Sequence, residues 1–389
     1  MARGSNPPLI QRWNSPWAAV LIVAIAYATF VALRLAKHDY DVSRFVTAGD
    51  EFCDPSQVPA GLFVFVDSSG YDGQYYYRLA LDPLTSEAHN LGVTLDLPAY
   101  RQQRILYPLI VRTLSLGHAT LVPGVMVLVN FLALCGMAWI ASRFSQSLQR
   151  HALWGLLIPF YPGFVLTLAR DLTEIVEVFF LLAALWCLVR DRQLAGGVLL
   201  ACAVLAKETA LIALVAIVGT AAIQQWRQLP HRHFRWPVFV IPIVTCCAWQ
   251  LFLWQRWDQL PLLAGRGNLG LPLAGISSFV TRLLGEQRAI HDYWLGLLVF
   301  LAVFCGYLLA SLRASSLAAH VKVTWLSYLG LALLLTPVVW VEHWAFLRAL
   351  SEFYVLGALL LLSSTLRGRP FLAAYAAITW LVVMRGARH

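Results

Sequence analysis

The stretch Gly70-Tyr-Asp-Gly-Gln-Tyr-Tyr-Tyr-Arg-Leu-Ala-Leu-Asp-Pro83 sets an acid, Asp72, at the head of a short helix-forming run, in a chain that is otherwise 59% hydrophobic. A carboxylate near a hydroxyl can take its proton as a general base, and fixed cations beside it can stabilise a phosphate leaving group. Such cations follow downstream in Tyr100-Arg101-Gln-Gln-Arg104. Guanidinium groups bind phosphate through paired hydrogen bonds; near a membrane their other use is to snorkel toward headgroups. Further charges interrupt apolar sequence at Arg170, Asp171 and Glu174, at Lys207 and Glu208, and at Glu342, His343, Arg348 and Glu352. Ionisable residues set in membrane-grade sequence mark substrate paths, or else pair with one another and keep helices in register. Arg101, Arg104, Arg170 and Lys207 are therefore candidate phosphate ligands. Tyr71, Gln74, Tyr76, Asp171, Glu174, Glu208, Glu342, His343 and Arg348 are candidate substrate contacts. Asp171 and Glu174, three apart, are expected on one helical face.

Local structure offers Asp72 a second role. Asp is a preferred N-cap residue, and Pro83 would end the helix that begins there. The tyrosines suit a helix lying in the membrane interface, rings in lipid and hydroxyls among headgroups. Asp41, in His38-Asp-Tyr-Asp-Val-Ser-Arg44, is the rival base.

Other chemistry finds no foothold in the pattern. The seven cysteines are scattered without zinc spacing, so no metal is expected. No phosphate loop or dinucleotide glycine pattern occurs, so no nucleotide cofactor is expected. The formal charge of +9 comes from short basic clusters between apolar runs rather than from one basic face, which speaks for membrane topology and against nucleic acid.

The elements that must position these residues are membrane helices. At 13% charged residues the chain is an all-α polytopic membrane protein, because helices satisfy their own backbone polar groups in hydrocarbon. Apolar runs fall at 17–36, 121–142, 153–168, 172–189, 194–206, 209–225, 237–255, 292–312, 323–341, 349–366 and 370–385. At ~17 to 25 residues per span that reads as about eleven transmembrane helices, several of them short. Arg143 with Arg150, Arg190 with Arg192, the 231–235 cluster, Arg313 to Lys322, and Arg367 with Arg369 mark cytoplasmic loops, while the stretch 39–96 is acid-rich. The N-terminus is then cytoplasmic, the first helix is retained rather than cleaved, and loops 37–103 and 256–291 lie outside. The whole chain, 1–389, forms one transmembrane domain, with interfacial helices in the first external loop.

Carboxylate, fixed cations and a site at outward helix ends together suit sugar transfer from a lipid-linked donor. The pattern of an aspartate soon after the first helix, then Arg104-Ile-Leu-Tyr-Pro-Leu, resembles the GT-C superfamily of polyprenyl-phosphate-sugar-dependent glycosyltransferases. It is similar to bacterial membrane proteins implicated in cell-surface glycopolymer formation, and more distantly to PIG-V-type mannosyltransferases. The likeness covers about residues 39–109, with echoes at 169–174, 206–209 and 347–354. Tyr71 stands where the mannosyltransferases have tryptophan, and no second acid adjoins Asp72. The resemblance implies a GT-C-like bundle in a bacterial inner membrane, acting as an inverting transferase with Asp72 as base and no obligatory metal. Its expected partners are a polyprenyl-phosphate sugar, a glycan or lipid acceptor, and membrane lipids. A transporter or flippase for a lipid-linked glycan is the competing expectation; it would use the same arginines, but would call for pseudo-symmetric halves that the chain lacks.

Overall fold

The computed structural model of the chain describes residues 13–228, 235–285, 289–341 and 345–387. Its regular structure is almost wholly helical. The helices are α1 (Pro16–Lys37), α2 (Gly73–Leu81), α3 (Pro98–Gln102), α4 (Leu106–Ser115), α5 (Val122–Ser147), α6 (Pro162–Ala169), α7 (Glu174–Val189), α8 (Gln193–Ala206) and α9 (Ala210–Trp226). They continue with α10 (Pro237–Trp257), α11 (Pro261–Ala264), α12 (Ala274–Gly285), α13 (Ala289–Ser311), α14 (Ala319–Leu334), α15 (Pro337–Val341), α16 (Ala345–Ala349), α17 (Ser351–Ser363) and α18 (Arg369–Ala387). The first loop adds two tiny strand pairs to the all-helical expectation, β1 (Ala48–Gly49) parallel to β2 (Val64–Phe65) and β3 (His89–Asn90) antiparallel to β4 (Val93–Thr94).

Among the described residues, four helical segments are long and apolar enough to cross a membrane: α1, α5, α10 and Trp294–Ser311 of α13. The chain therefore has the make-up of an all-α membrane protein, but eleven such spans are not present among the described residues. The shortfall has a local cause. The run 153–168 is split by Pro159 and Pro162 into a 3-10 turn (Ala152–Leu157) and α6, since proline removes a backbone donor and pushes its predecessor out of helical geometry. Pro337 likewise breaks 323–341: Leu335 turns extended, at φ −62° and ψ 134°, between α14 and α15. Helices α8, α9, α14 and α17 are apolar but have 17 residues or fewer.

Helix α1 packs along α5, α7 pairs with α8, α10 lies on α8, and α14 bridges α9 and α17. Asn14, just before α1, accepts from the Ala152 amide and has its carbonyl bonded by Gln146 at the end of α5, so α1 and α5 run antiparallel. The basic residues Arg143 and Arg150 gather at that end, while the acid-rich loop leaves the opposite end of α1.

The two long loops meet. Arg256 donates to the Leu84 carbonyl at 2.7 Å, the Trp257 indole to Gln102 at 2.6 Å, and Asn268 to the Tyr100 hydroxyl at 3.4 Å. Helix α2 does not lay its tyrosine rings in lipid: Gly73 through Ala80 are all buried, with Tyr75, Tyr76 and Tyr77 no more than 3% exposed. Arg78 explains how. Fully buried, it donates to Thr85 and to the carbonyls of Glu87, Ala88 and Val93, wrapping the 82–95 segment over the helix.

Candidate active site

Asp72 begins α2 but does not cap it. Its backbone is helical (φ −57°, ψ −22°) and its carboxylate makes no cap bond. Gly73, the next residue, lies tight against the carbonyl oxygens of Arg170 and Val46, where a side chain would collide. Oδ1 accepts from Arg101 Nη1 at 2.9 Å and Oδ2 from Arg348 Nη1 at 2.6 Å. Burial by itself would raise the Asp72 pKa, but Arg101, Arg348 and Arg104 outweigh it and keep the carboxyl well below the usual carboxylate range.

Each arginine is positioned by its own support. Arg101, on α3, forks onto Asp96 at 2.7 and 2.8 Å and lies 4.3 Å from the centre of the Tyr75 ring. Arg348, on α16, rests on a turn whose Leu347 carbonyl accepts from Tyr161 at 2.5 Å and whose Arg348 carbonyl accepts from Ser351 at 2.8 Å. Its guanidinium approaches Glu174 at 3.8 Å; Glu174 in turn lies 3.6 Å from Lys207, which lies 3.8 Å from Glu352. Charges thus alternate without interruption from Asp96 through Arg101, Asp72, Arg348, Glu174 and Lys207 to Glu352. Beside this row, Arg104 is gripped by both oxygens of Glu208 at 2.8 and 2.5 Å and donates to the Tyr76 and Tyr100 hydroxyls. Burial, only partly offset by Arg104, raises the Tyr76 hydroxyl to about 12, so it stays protonated.

Two cavities open on this row. One, of about 370 Å³, is polar and surrounds Asp72, with Tyr71, Gln74, Asp96 and Arg101 in its wall. The other, of about 450 Å³, has Arg104, Glu174, Lys207 and Glu208 at one side and an apolar wall that includes Leu262, Leu263, Leu331, Leu335 and Val339. Tyr100, Gly265, Asn268 and Arg348 line both. Each volume is within the range of small-molecule sites.

Most of the expected residues converge here, but several do not. Asp41 caps the 3-10 turn Val42–Phe45, accepting from the Ser43 amide and hydroxyl at 2.9 and 2.7 Å, and lines neither cavity. Arg170 also lines neither; its guanidinium lies 4.2 Å from the ring centre of Tyr71 and backs that wall. Asp171 is not on a helical face with Glu174: it sits before α7 at φ 49°, fully buried, in the field of Arg34. Tyr76 is buried behind Arg104 rather than in a cavity. Gln74 does line the polar cavity, but its amide ties the loop together through the Gly49 amide and the Ser69 carbonyl. Glu342 and His343 lie outside the described residues.

The sequence reading missed Asp96, Tyr100, Asn268 and Thr209, the last donating to Glu352 at 2.5 Å. No group of three or more metal-ligating side chains occurs among the described residues.

Fold and site together define a mostly helical protein of membrane character, with paired polar and amphipathic cavities joined by one row of alternating charges. No family model, curated protein or solved structure matches the chain.

Proposed function

We propose that the protein is a membrane glycosyltransferase that moves a sugar from a polyprenyl-phosphate donor to a glycan or lipid hydroxyl at the outer face of a bacterial plasma membrane. The observation that carries this reading is the pair of confluent cavities meeting at Arg348. A polyprenyl-phosphate sugar has an apolar chain, an anionic head and a polar sugar in series. The apolar wall suits the chain, the cations at the junction suit the phosphate, and the polar cavity around Asp72 suits the sugar and acceptor.

In the reaction, the acceptor hydroxyl oxygen attacks the anomeric carbon while the bond from that carbon to the phosphate oxygen breaks. The polyprenyl phosphate leaves with the electron pair, and the hydroxyl proton passes to Asp72. Arg348, Lys207 and Arg104 balance the charge that develops on the leaving phosphate. The GT-C-like architecture, with its eleven crossings, belongs to the same proposal: the shorter helices would cross in addition to the four long segments, some of them in series.

The test uses purified protein in lipid nanodiscs, a panel of polyprenyl-phospho-hexoses and -pentoses, and lipid or glycan acceptors. Transfer is expected for wild type and a loss of at least about 100-fold for Asp72→Asn, the lower end of what general-base catalysis contributes. Wild-type turnover by Asp72→Asn would remove the base assignment. No transfer from any donor, together with movement of the intact donor between leaflets, would point to a flippase instead.

A further inference from the structure

The cavity walls hold hardly any cation to spare. Arg101 is forked onto Asp96 and bonded to Asp72. Arg104 is held by both oxygens of Glu208 and by two tyrosines. Lys207 lies between Glu174 and Glu352. Arg266, on the rim of the amphipathic cavity, is the exception, exposed to solvent. From Asp96 to Glu352 the row contains Asp96, Asp72, Glu174 and Glu352 against Arg101, Arg348 and Lys207, so each cation of the row already faces a carboxylate. A phosphate that settles on the row itself, rather than on Arg266 at the rim, must compete with a carboxylate for one of these cations.

Arg348 is the cation built for such an exchange. Among the described residues it is the one charged side chain shared by the two cavities, its side chain is 20% exposed, and a single nitrogen carries its contacts to Asp72 and Glu174. Arg101, at 12% exposure, is anchored on Asp96 whatever Asp72 does. We propose that a lipid phosphate and Asp72 compete for Arg348, so that an arriving donor draws this guanidinium off the carboxylate and makes Asp72 an effective base only once the donor is seated. This rests on the transferase reading. Its consequence is a resting site in which Asp72 is a poor base, because a carboxylate clasped by two guanidinium groups has little appetite for a proton.

The test is a binding cycle with undecaprenyl monophosphate, which carries no sugar, on wild type, Asp72→Asn, Arg348→Gln and the double variant in nanodiscs. Competition requires Asp72→Asn to bind the probe at least fivefold more tightly than wild type, and Arg348→Gln at least tenfold more weakly. The double variant must bind no more tightly than Arg348→Gln. A difference infrared spectrum of wild type, with and without probe, reads the same event without relying on the variants' binding. A carboxylate band should shift as it leaves an arginine, and the shift should be missing from Asp72→Asn. Equal or weaker binding by Asp72→Asn, or no spectral shift in wild type that binds the probe, overturns the exchange while leaving the donor class intact. Failure of wild type to bind undecaprenyl monophosphate at all removes both the donor class and the exchange.

Discussion

Replacing Arg101 with glutamine tests whether Asp72 belongs to a coupled charge row or merely lies beside it. The substitution removes one of two guanidinium groups from a carboxylate that is 11% exposed and takes the fork partner from Asp96, which is 25% exposed. Breaking a fully buried pair costs about 3–5 kcal/mol. Here Asp72 keeps Arg348, and Asp96 can turn to water, so the expected loss is about 2 kcal/mol. For a chain this long that is on the order of 4 °C in melting temperature, at ~2 °C per kcal/mol. The assay is thermal unfolding in detergent of wild type, Arg101→Gln, Asp72→Asn and the double variant, with a coupling of about 1–2 kcal/mol expected for groups in contact. The pH dependence has a definite sign. Asp72 has a depressed folded pKa, so its contribution is present above the unfolded value of about 3.9 and is lost only as pH falls through the lower folded value. The coupling should therefore be the same at pH 5 and pH 8. Additive losses, or a coupling that fades between those two values, would refute an ionised Asp72 clasped by Arg101.

Gly73→Ala should destabilise the protein by about 1–3 kcal/mol in the same melting assay and lower transfer, because the new methyl meets the Arg170 and Val46 carbonyls. Asp41→Asn should leave transfer within twofold of wild type and cost less than about 1 kcal/mol, since asparagine also caps; a large loss of turnover would restore Asp41 as a base. Arg104→Lys cannot reproduce the fork onto Glu208, and is expected to raise the donor KM about tenfold with a smaller change in kcat. Leu335→Trp, in the apolar wall, should raise the KM for long-chain donors more than for a short-chain analogue; equal effects on both would argue against a chain-binding groove.

Much of this was legible in the residues themselves. Arg104, Lys207, Glu208, Glu174 and Arg348 were recognisable because charge in membrane-grade sequence has to be paired or used, and all of them line the cavities. The tyrosines after Asp72 misled, since an aromatic helix buried by a loop and one lying in lipid have the same composition. The capping role of Asp72 misled for a related reason: a favourable residue at a helix start does not specify where its side chain turns.

By itself the sequence determined the helical, membrane-grade character of the chain and the residue types at the site, because hydropathy and local backbone preference act over a few neighbouring residues. Proline positions imply the breaks at 159–162 and 337, because proline interrupts a helix however apolar the run around it. Only tertiary structure decided the partners. Asp72 and Arg348 are 276 residues apart, and Arg104 and Glu208 are 104 apart. Which cation meets which carboxylate depends on how helices from distant parts of the chain pack, and no local signal encodes that choice. The same packing separated Asp41, Arg170 and Asp171 from the cavities and put Asp96 behind Arg101.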